Sequence, residues 1–442
     1  MFSFRKTVLF VFTLVLGFVP IYLWIPRLMI PYIDFAVLLF VSIYLWTAVK
    51  PRIVKKSPFL KKVFSVLFWL PLVIVIIASI ALVFTELNNW PDVLRVYFVG
   101  GLLSYLVSLI FPVLFLFIAD IIRWIHIFFA SKKKVNDRVD RLNGEPITRK
   151  KFIVNTGLSL GGIALGTMGF GMLHGNYNFK IWKFQLPILR MPKELSGLRI
   201  LQISDMHLGT WVSTEPLDEA IQYMNELKPD LVFFTGDLVN AKTSEAFSFY
   251  DSLQKIKAKY GIYASLGNHD YGHYYRWESK EEEQKNWDDL LRFYNKLGWK
   301  LMRNESDIVI VNACRVLLTG VENWSLNPRF PRIGDLKKAT EGYDSADLNL
   351  LLSHDPTHWD QKVKQFPIPF DITFSGHTHG FQFGFESTLF RWSPAQYLYK
   401  HWAGLYSDSS KEKYLYVNRG IGAIGFPGRV GIRPEITLIE VI

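Results

Sequence analysis

Five short segments of this 442-residue sequence gather groups able to bind cations. They are Asp205-Met206-His207, Gly236-Asp237, Gly267-Asn268-His269-Asp270, His354-Asp355-Pro356 and Gly376-His377-Thr378-His379. Eight residues stand out: Asp205, His207, Asp237, Asn268, His269, His354, His377 and His379. Seven of them suit a divalent metal, supplying two carboxylates, one amide oxygen and four imidazoles. That is too many for one tetrahedral zinc with an open position. It suits two ions about 3.5–4 Å apart and bridged by a carboxylate. A nitrogen and oxygen donor set without thiolate favours Mn, Fe, Zn or Co over calcium or copper(I). A single Asp-x-His is ordinarily a solvated loop; five such clusters in succession argue for a metal centre.

The elements that must position these groups are legible from residue 195 onward. Short apolar runs recur, and each ends in a polar cluster: Leu198–Ile203, Leu231–Phe234, Ile262–Leu266, Val316–Leu318, Leu348–Leu352 and Ile372–Phe374. Continuous apolar runs of this length, without alternation, predict strands buried on both faces. Glu215–Leu227 and Trp287–Leu297 carry apolar residues at helical spacing, and Ser213 and Thr214 are candidate caps for the first. Strand–helix repetition predicts an α/β domain. Ligands of such sheets bind beyond the carboxyl ends of the strands, where every one of these clusters falls.

These five motifs, in this order, resemble the calcineurin-like metallophosphoesterases, over about residues 196–442. The membrane-anchored YkuE-like branch is the most similar, given the apolar segments ahead of the domain and the ending Asn418-Arg419-Gly420…Pro434-Glu435-Ile436-Thr437. The resemblance implies a four-layer αββα sandwich. It implies one metal on Asp205, His207 and His379, a second on Asn268, His354 and His377, and Asp237 bridging them. His269 would be the catalytic imidazole, placed to protonate a leaving oxygen. Manganese is the favoured ion. Three departures stand out. Asn240 replaces a carboxylate that would orient the catalytic His; Phe381 replaces a glycine; Asp270 stands where Glu is also used.

The N-terminal third reads differently. Thr7–Ile25, Phe35–Val49, Val63–Thr85 and Val96–Ala119 are uncharged apolar runs, near the ~20 residues that cross a bilayer. A fifth, Phe152–Phe179, is rich in glycine and follows Thr148-Arg149-Lys150-Lys151-Phe152, which resembles an export signal. Residues 1–130 are thus read as a four-helix transmembrane anchor, 131–180 as a basic segment with a fifth membrane segment, and 181–442 as the catalytic domain. Residues 1–151 carry 19 Lys/Arg against 7 Asp/Glu, a net +12, and residues 152–442 carry 31 against 32, a net −1. The overall +11 is therefore a topology signal, not a nucleic-acid footprint. Seventeen basic residues flank alternate loops, while the other two loops hold only Arg27 and Arg95. This predicts a multi-pass protein of a bacterial-type inner membrane, with residues beyond about Leu173 outside the cytoplasm if the fifth segment spans and in the cytoplasm if residues 152–173 do not. Cys314 is the sole cysteine, which excludes a disulfide scaffold.

Two aromatic stretches lie near the motifs. Tyr271–Trp277, with His273 inside it, is expected to form a lid or substrate loop. The nine aromatics of 381–406 read first as core, and alternatively as an apolar wall facing the membrane or an acyl chain. Glycines at 420, 422, 425, 428 and 431 read as tight turns, or as a phosphate cradle with Arg419 or Arg429. His126, His174 and His401 are expected to be structural. The expected activity is hydrolysis of a phosphoester or pyrophosphate bond in an amphiphilic substrate held at the lipid bilayer, with no nucleic-acid partner. UDP-2,3-diacylglucosamine hydrolysis is the alternative substrate, although that compound is cytoplasmic. A metal-bound but weakly active sensor or scaffold is the alternative class, and transport has little support because the spans carry almost no interior charge. A reporter fused at residue 300 tests the topology. It should be active only outside the cytoplasm, and a cytoplasmic signal overturns the assignment.

Overall fold

The computed structural model describes residues 29–54, 56–85, 87–129, 149–387 and 390–442. The chain divides into two units, Met1–Gly169 and Phe170–Ile442. Apolar runs of the first form long helices: α1 (Met29–Ile53), α2 (Pro58–Phe84), α3 (Asp92–Phe129) and α4 (Arg149–Leu173). Ser57 caps α2 by accepting from the Leu60 N–H, with Pro58 at the first helical position. Along α2, Val66, Leu67, Leu70, Val73, Ile77 and Ile80 are all exposed, a surface that calls for lipid rather than water. Among the described residues, four stretches are long and apolar enough to span: Phe35–Ile53, Pro58–Leu82, Asp92–Ile125 and Lys151–Tyr177. The protein is a membrane protein. The expected span Thr7–Ile25 and the basic residues 130–148 lie outside the described residues.

The Gly-rich fifth segment is a continuous helix. Its glycines have a packing reason: a Cβ on Gly157 would lie 2.6 Å from the Phe115 Cβ, and one on Gly161 would lie 2.6 Å from the Ser108 carbonyl oxygen. The pair forms a small-xxx-small face that lets α4 approach α3 closely.

The second unit holds two six-stranded sheets. The first runs in the order β1-β14-β2-β3-β4-β5, with β1 (Lys180–Leu186), β2 (Arg199–Ile203), β3 (Leu231–Phe234), β4 (Ile262–Ala264), β5 (Lys300–Leu301) and β14 (Glu435–Val441). The second runs β12-β13-β9-β8-β7-β6, with β6 (Glu305–Val311), β7 (Cys314–Gly320), β8 (Leu348–Leu352), β9 (Ile372–Ser375), β12 (Gly404–Ser407) and β13 (Tyr414–Val417). A separate two-stranded ribbon pairs β10 (Phe385–Glu386) with β11 (Arg391–Trp392). Strands β2, β3, β4 and β5 are parallel neighbours, as are β7, β8, β9 and β13.

Alternation along each strand sorts side chains into layers. Ile200, Leu231 and Phe233 face Leu350, Ile372 and Phe374 across the two sheets, and the Phe233 and Phe374 rings meet edge-on at 4.9 Å. On the far side of the first sheet, Leu201, Ile203, Val232 and Phe234 pack on α5 (Glu215–Glu226) and α6 (Lys280–Leu297) through Leu217, Ile221, Leu290 and Phe293. Leu351, Leu415 and Val417 cover Trp359 and Val363 on the far side of the second. The result is the expected four-layer αββα sandwich. Glu281, Glu282 and Glu283 occupy the first turn of α6, capped by Ser279. Truncating the inter-sheet contact tests this core. Phe233→Ala should destabilise the unit by about 3–5 kcal/mol, and Ile310→Ala, at an exposed site, by less than about 0.5 kcal/mol. Urea unfolding of the detergent-solubilised chain, followed by tryptophan emission, measures both.

Candidate metal centre

All eight singled-out residues converge where the two sheets present their carboxyl ends. Asp205 and His207 follow β2, Asp237 follows β3, and Asn268 and His269 follow β4. His354 follows β8, and His377 and His379 follow β9. The turns that aim them are tight. Asp205, His207, Asp237, His377 and His379 all adopt positive φ, between 46° and 72°. That conformation is costly for these residue types and persists only where the surroundings impose it. The neighbouring glycines make room. A Cβ on Gly376 would lie 2.2 Å from Asp205 Oδ2, and one on Gly236 would lie 2.4 Å from the Gly267 nitrogen.

Two imidazole pairs face each other. His207 Nε2 and His379 Nε2 are 3.0 Å apart, with Asp205 Oδ1 3.2 Å from His379 Nε2. His354 Nε2 and His377 Nδ1 are 3.2 Å apart. Asp237 Oδ2 lies between the pairs, 3.6 Å from His207 Nε2 and 3.1 Å from His354 Nε2. Asp205, His207, His354 and Asp237 are almost wholly buried. Burial would push Asp205 up, but the His379 imidazole offsets this and holds the carboxylate below its ordinary range. Asp237 is likewise held low, against burial, by His354 and His269. Burial lowers His207, His377 and His379, whereas Asp237 outweighs burial at His354 and raises it to about 10. Anionic oxygens thus stand opposite the nitrogens of His207, His377 and His379, which resist protonation, the electrostatic setting of a cation site.

The donor set fits two divalent ions. Asn268 Oδ1 is buried and has no hydrogen-bond partner, while its Nδ2 donates to the Tyr274 hydroxyl at 2.9 Å, which orients the amide. The His354 Nδ1–H donates to the Thr235 carbonyl at 2.7 Å, leaving Nε2 to face the centre. Asp270, buried and raised to about 7 by burial and by Asp237, accepts from the backbone N–H groups of Asp237, Leu238 and Gly267 and so braces both motif turns.

His269 stands beside this set, its ring 4.8 Å from that of His207. Its Nδ1–H donates to the Asn240 carbonyl oxygen at 2.6 Å. The loss of a carboxylate at position 240 therefore leaves orientation intact, because the peptide, not the side chain, holds the ring. Tyr274 packs over His269 at 4.2 Å, which puts the Tyr271–Trp277 run against the site. Sequence reasoning did not single out Tyr399, whose hydroxyl lies 3.0 Å from His377 Nε2, nor Phe330, packed edge-on against the same ring. Tyr399 sits in the noted aromatic stretch; Phe330 carries no sequence signal. The phosphate-cradle reading of the C-terminal arginines fails. Arg419 is sealed between Glu386 and Glu435, and buried Arg429 caps the carbonyls of Arg419, Gly420 and Gly422. His174 stacks on Phe170 and His401 pairs with Asp360, both structural, and the side chain of His126 is outside the described residues.

The centre opens into a cavity of about 400 Å³. It is lined by polar groups, among them His207, Asp237, Asn268 and His269, and by the apolar side chains of Phe330, Phe381, Ile424 and Phe426. Phe381 holds φ +54° and is half exposed at this rim.

Comparison with known proteins agrees with this geometry. A family model described as a probable calcineurin-like phosphoesterase transmembrane domain matches residues 26–176, and the calcineurin-like phosphoesterase model matches residues 198–381. The chain is 30% identical over 277 residues to a zebrafish (Danio rerio) transmembrane protein with metallophosphoesterase domain, covering 61% of this chain and 59% of that protein. It is 30% identical over 254 residues to the metallophosphoesterase YkoQ of Bacillus subtilis, covering 55% of this chain and 83% of that one. It is 29% identical over 281 residues to the UDP-2,3-diacylglucosamine pyrophosphatase LpxG of Chlamydia muridarum, covering 53% and 81%. The chain thus spans about three-fifths of the zebrafish protein's length. With the motifs, the four-layer sandwich and the membrane helices in agreement, the chain belongs to the calcineurin-like metallophosphoesterases, in their membrane-anchored branch.

Proposed function

We propose that the protein is a membrane-anchored, dinuclear metal-dependent phosphoesterase acting on a phosphoester or pyrophosphate bond of an amphiphilic, lipid-like substrate. The observation that carries this reading is the position of Asp237 between two imidazole pairs, in the lining of a cavity that also presents Phe330, Phe381, Ile424 and Phe426. Asp205, His207 and His379 would hold one ion, Asn268, His354 and His377 the other, and Asp237 both. When bound, two such ions polarise phosphoryl oxygens and lower the pKa of water. Manganese suits the mixed donor set, as do iron, zinc and cobalt.

The chain's own groups do the rest. His269 has Nδ1 committed to the Asn240 carbonyl, so Nε2 is the atom that carries or releases a proton toward the leaving oxygen. Tyr274 fixes the ring plane and the Asn268 amide together. The apolar lining of the cavity excludes water beside the scissile group and offers a surface for an alkyl or acyl portion. Supporting the lipid-like substrate are this apolar lining and the relative named a diacylglucosamine pyrophosphatase. The loop charge bias supports a catalytic unit on the extracytoplasmic face of a bacterial-type inner membrane. That face favours an envelope phospholipid or lipid-linked phosphate over a cytoplasmic nucleotide-linked one.

Three substitutions test the proposal in the purified full chain with Mn²⁺. Asp237→Ala should abolish hydrolysis of bis(p-nitrophenyl) phosphate and weaken Mn²⁺ binding by calorimetry; undiminished turnover removes the dinuclear mechanism. His269→Ala should lower kcat by about 10²–10⁴-fold with metal binding retained. Asn240→Ala should keep kcat near the parent value, since the backbone carbonyl survives; a loss as deep as that of His269→Ala would show that the side chain matters. UDP-2,3-diacylglucosamine, assayed beside a phospholipid phosphoester, separates the two substrate readings.

A further inference from the structure

The segment after the last ligand turn carries an unusual surface. Phe383, Phe385, Phe390, Tyr397 and Leu398 are all about half exposed or more, and Tyr397 and Leu398 reach 74% and 71%. They form one patch. Phe383 meets Trp392 at 6.3 Å, Phe385 meets Phe390 at 6.5 Å, and Trp392 donates through Nε1 to the Tyr397 hydroxyl. The ribbon β10–β11 holds them in register, pairing Phe385 with Trp392. Solvated domains rarely expose so many contiguous rings without a partner. The core reading of this stretch holds for Trp402, not for these residues.

What covers the patch is indicated by its backbone neighbours. The last turn of α4, near the C-terminal end of the apolar span Lys151–Tyr177, belongs to the same unit. There the Gly171 carbonyl accepts from the Arg429 N–H at 3.1 Å. The next residue, Val430, donates to the Gln382 carbonyl and accepts from the Gly384 N–H, bridging Phe383. Two backbone-to-backbone steps of about 4.8 Å therefore put Phe383 within roughly 10 Å of Gly171, in the last turn of α4. The headgroup zone on each side of the hydrocarbon core is several ångströms deep, so a group this close to a helix end falls at interfacial depth. The composition agrees: Trp and Tyr beside exposed Arg391 and Lys400 is the pattern of side chains that sit among lipid headgroups.

The geometry points to the β10–β11 ribbon and the 397–398 turn as a lipid-contacting surface that seats the catalytic unit on the bilayer in which α4 is anchored. Phe381 and Gln382 precede the ribbon and line the metal cavity, so seating the patch brings the cavity rim to the headgroup layer. This deepens the proposed lipid-like substrate, and the test is independent of turnover. Full-length protein carrying Cys314→Ser has no thiol. Single cysteines at Phe385→Cys, Tyr397→Cys and, as a control on another sheet, Ile310→Cys are labelled with a polarity-sensitive fluorophore and reconstituted singly in phosphatidylcholine/phosphatidylglycerol nanodiscs. Lipid nitroxides near the headgroup should quench the labels at 385 and 397 several-fold more than the label at 310. Equal quenching at all three, or protection from aqueous iodide only when two chains share a disc, would overturn the assignment, the latter in favour of a second copy. Adding Asp237→Ala should leave the quenching unchanged, so loss of hydrolysis and loss of lipid contact are read separately.

Discussion

Two carboxylates, Asp205 and Asp237, are buried at the seam between two sheets, facing imidazole nitrogens, and the rest of the catalytic unit answers to that constraint. A buried carboxylate is costly unless paired or bound to metal. Here the pairing partners are histidines whose own protonation is resisted by burial, except His354. The site is balanced for cations that the protein supplies ligands for but not charge. Five of the candidate ligands themselves adopt left-handed backbone conformations. That strain is sustained because the turns are pinned on both sides, by strand ends in register and by Asp270 accepting from three backbone donors.

The buried polar seam extends beyond the ligands. Gln202 on β2 donates to Thr235 and to the Ser375 carbonyl, tying the first sheet to the second just below the centre. Glu435 on β14 gathers Tyr416, Asn418 and Arg419 from the strand and turn opposite. Both sheets therefore meet the centre at fixed height. This is what allows candidate ligands following β2, β3 and β4 to meet those following β8 and β9. In the same way buried Arg429 donates to the carbonyls of Arg419, Gly420 and Gly422 and lies 3.4 Å from His379 Nδ1, tying the C-terminal loop to the centre.

Much of this was legible beforehand. Strand runs such as Leu348–Leu352 are apolar without alternation because both faces are buried, so their ends, and the motifs there, could be found. The apolar period of helix α6 begins only at Trp287, because its first two turns are charged; Ser279 and the three glutamates mark its start. The aromatics at 381–406 could not be sorted by composition. Trp402 is core and Phe385 is surface, and only the ribbon's register distinguishes them. The consequence of Asn240 was open in the sequence for a related reason. A side-chain loss was visible in the sequence, whereas the compensating backbone carbonyl is a property of the turn.

By itself the sequence determined the residue types, their order at strand ends and the segregation of positive charge into the anchor. Those are local: strand period, span length and ligand chemistry need no knowledge of distant neighbours. The tertiary structure alone decided that Asp237 stands between the two histidine pairs, that Tyr399 and Phe330 close on His377, and that an aromatic ribbon lies beside the end of a membrane helix. These relations join residues tens to hundreds of positions apart, and they exist only once two sheets have packed face to face and bent their connecting turns into a single concave edge.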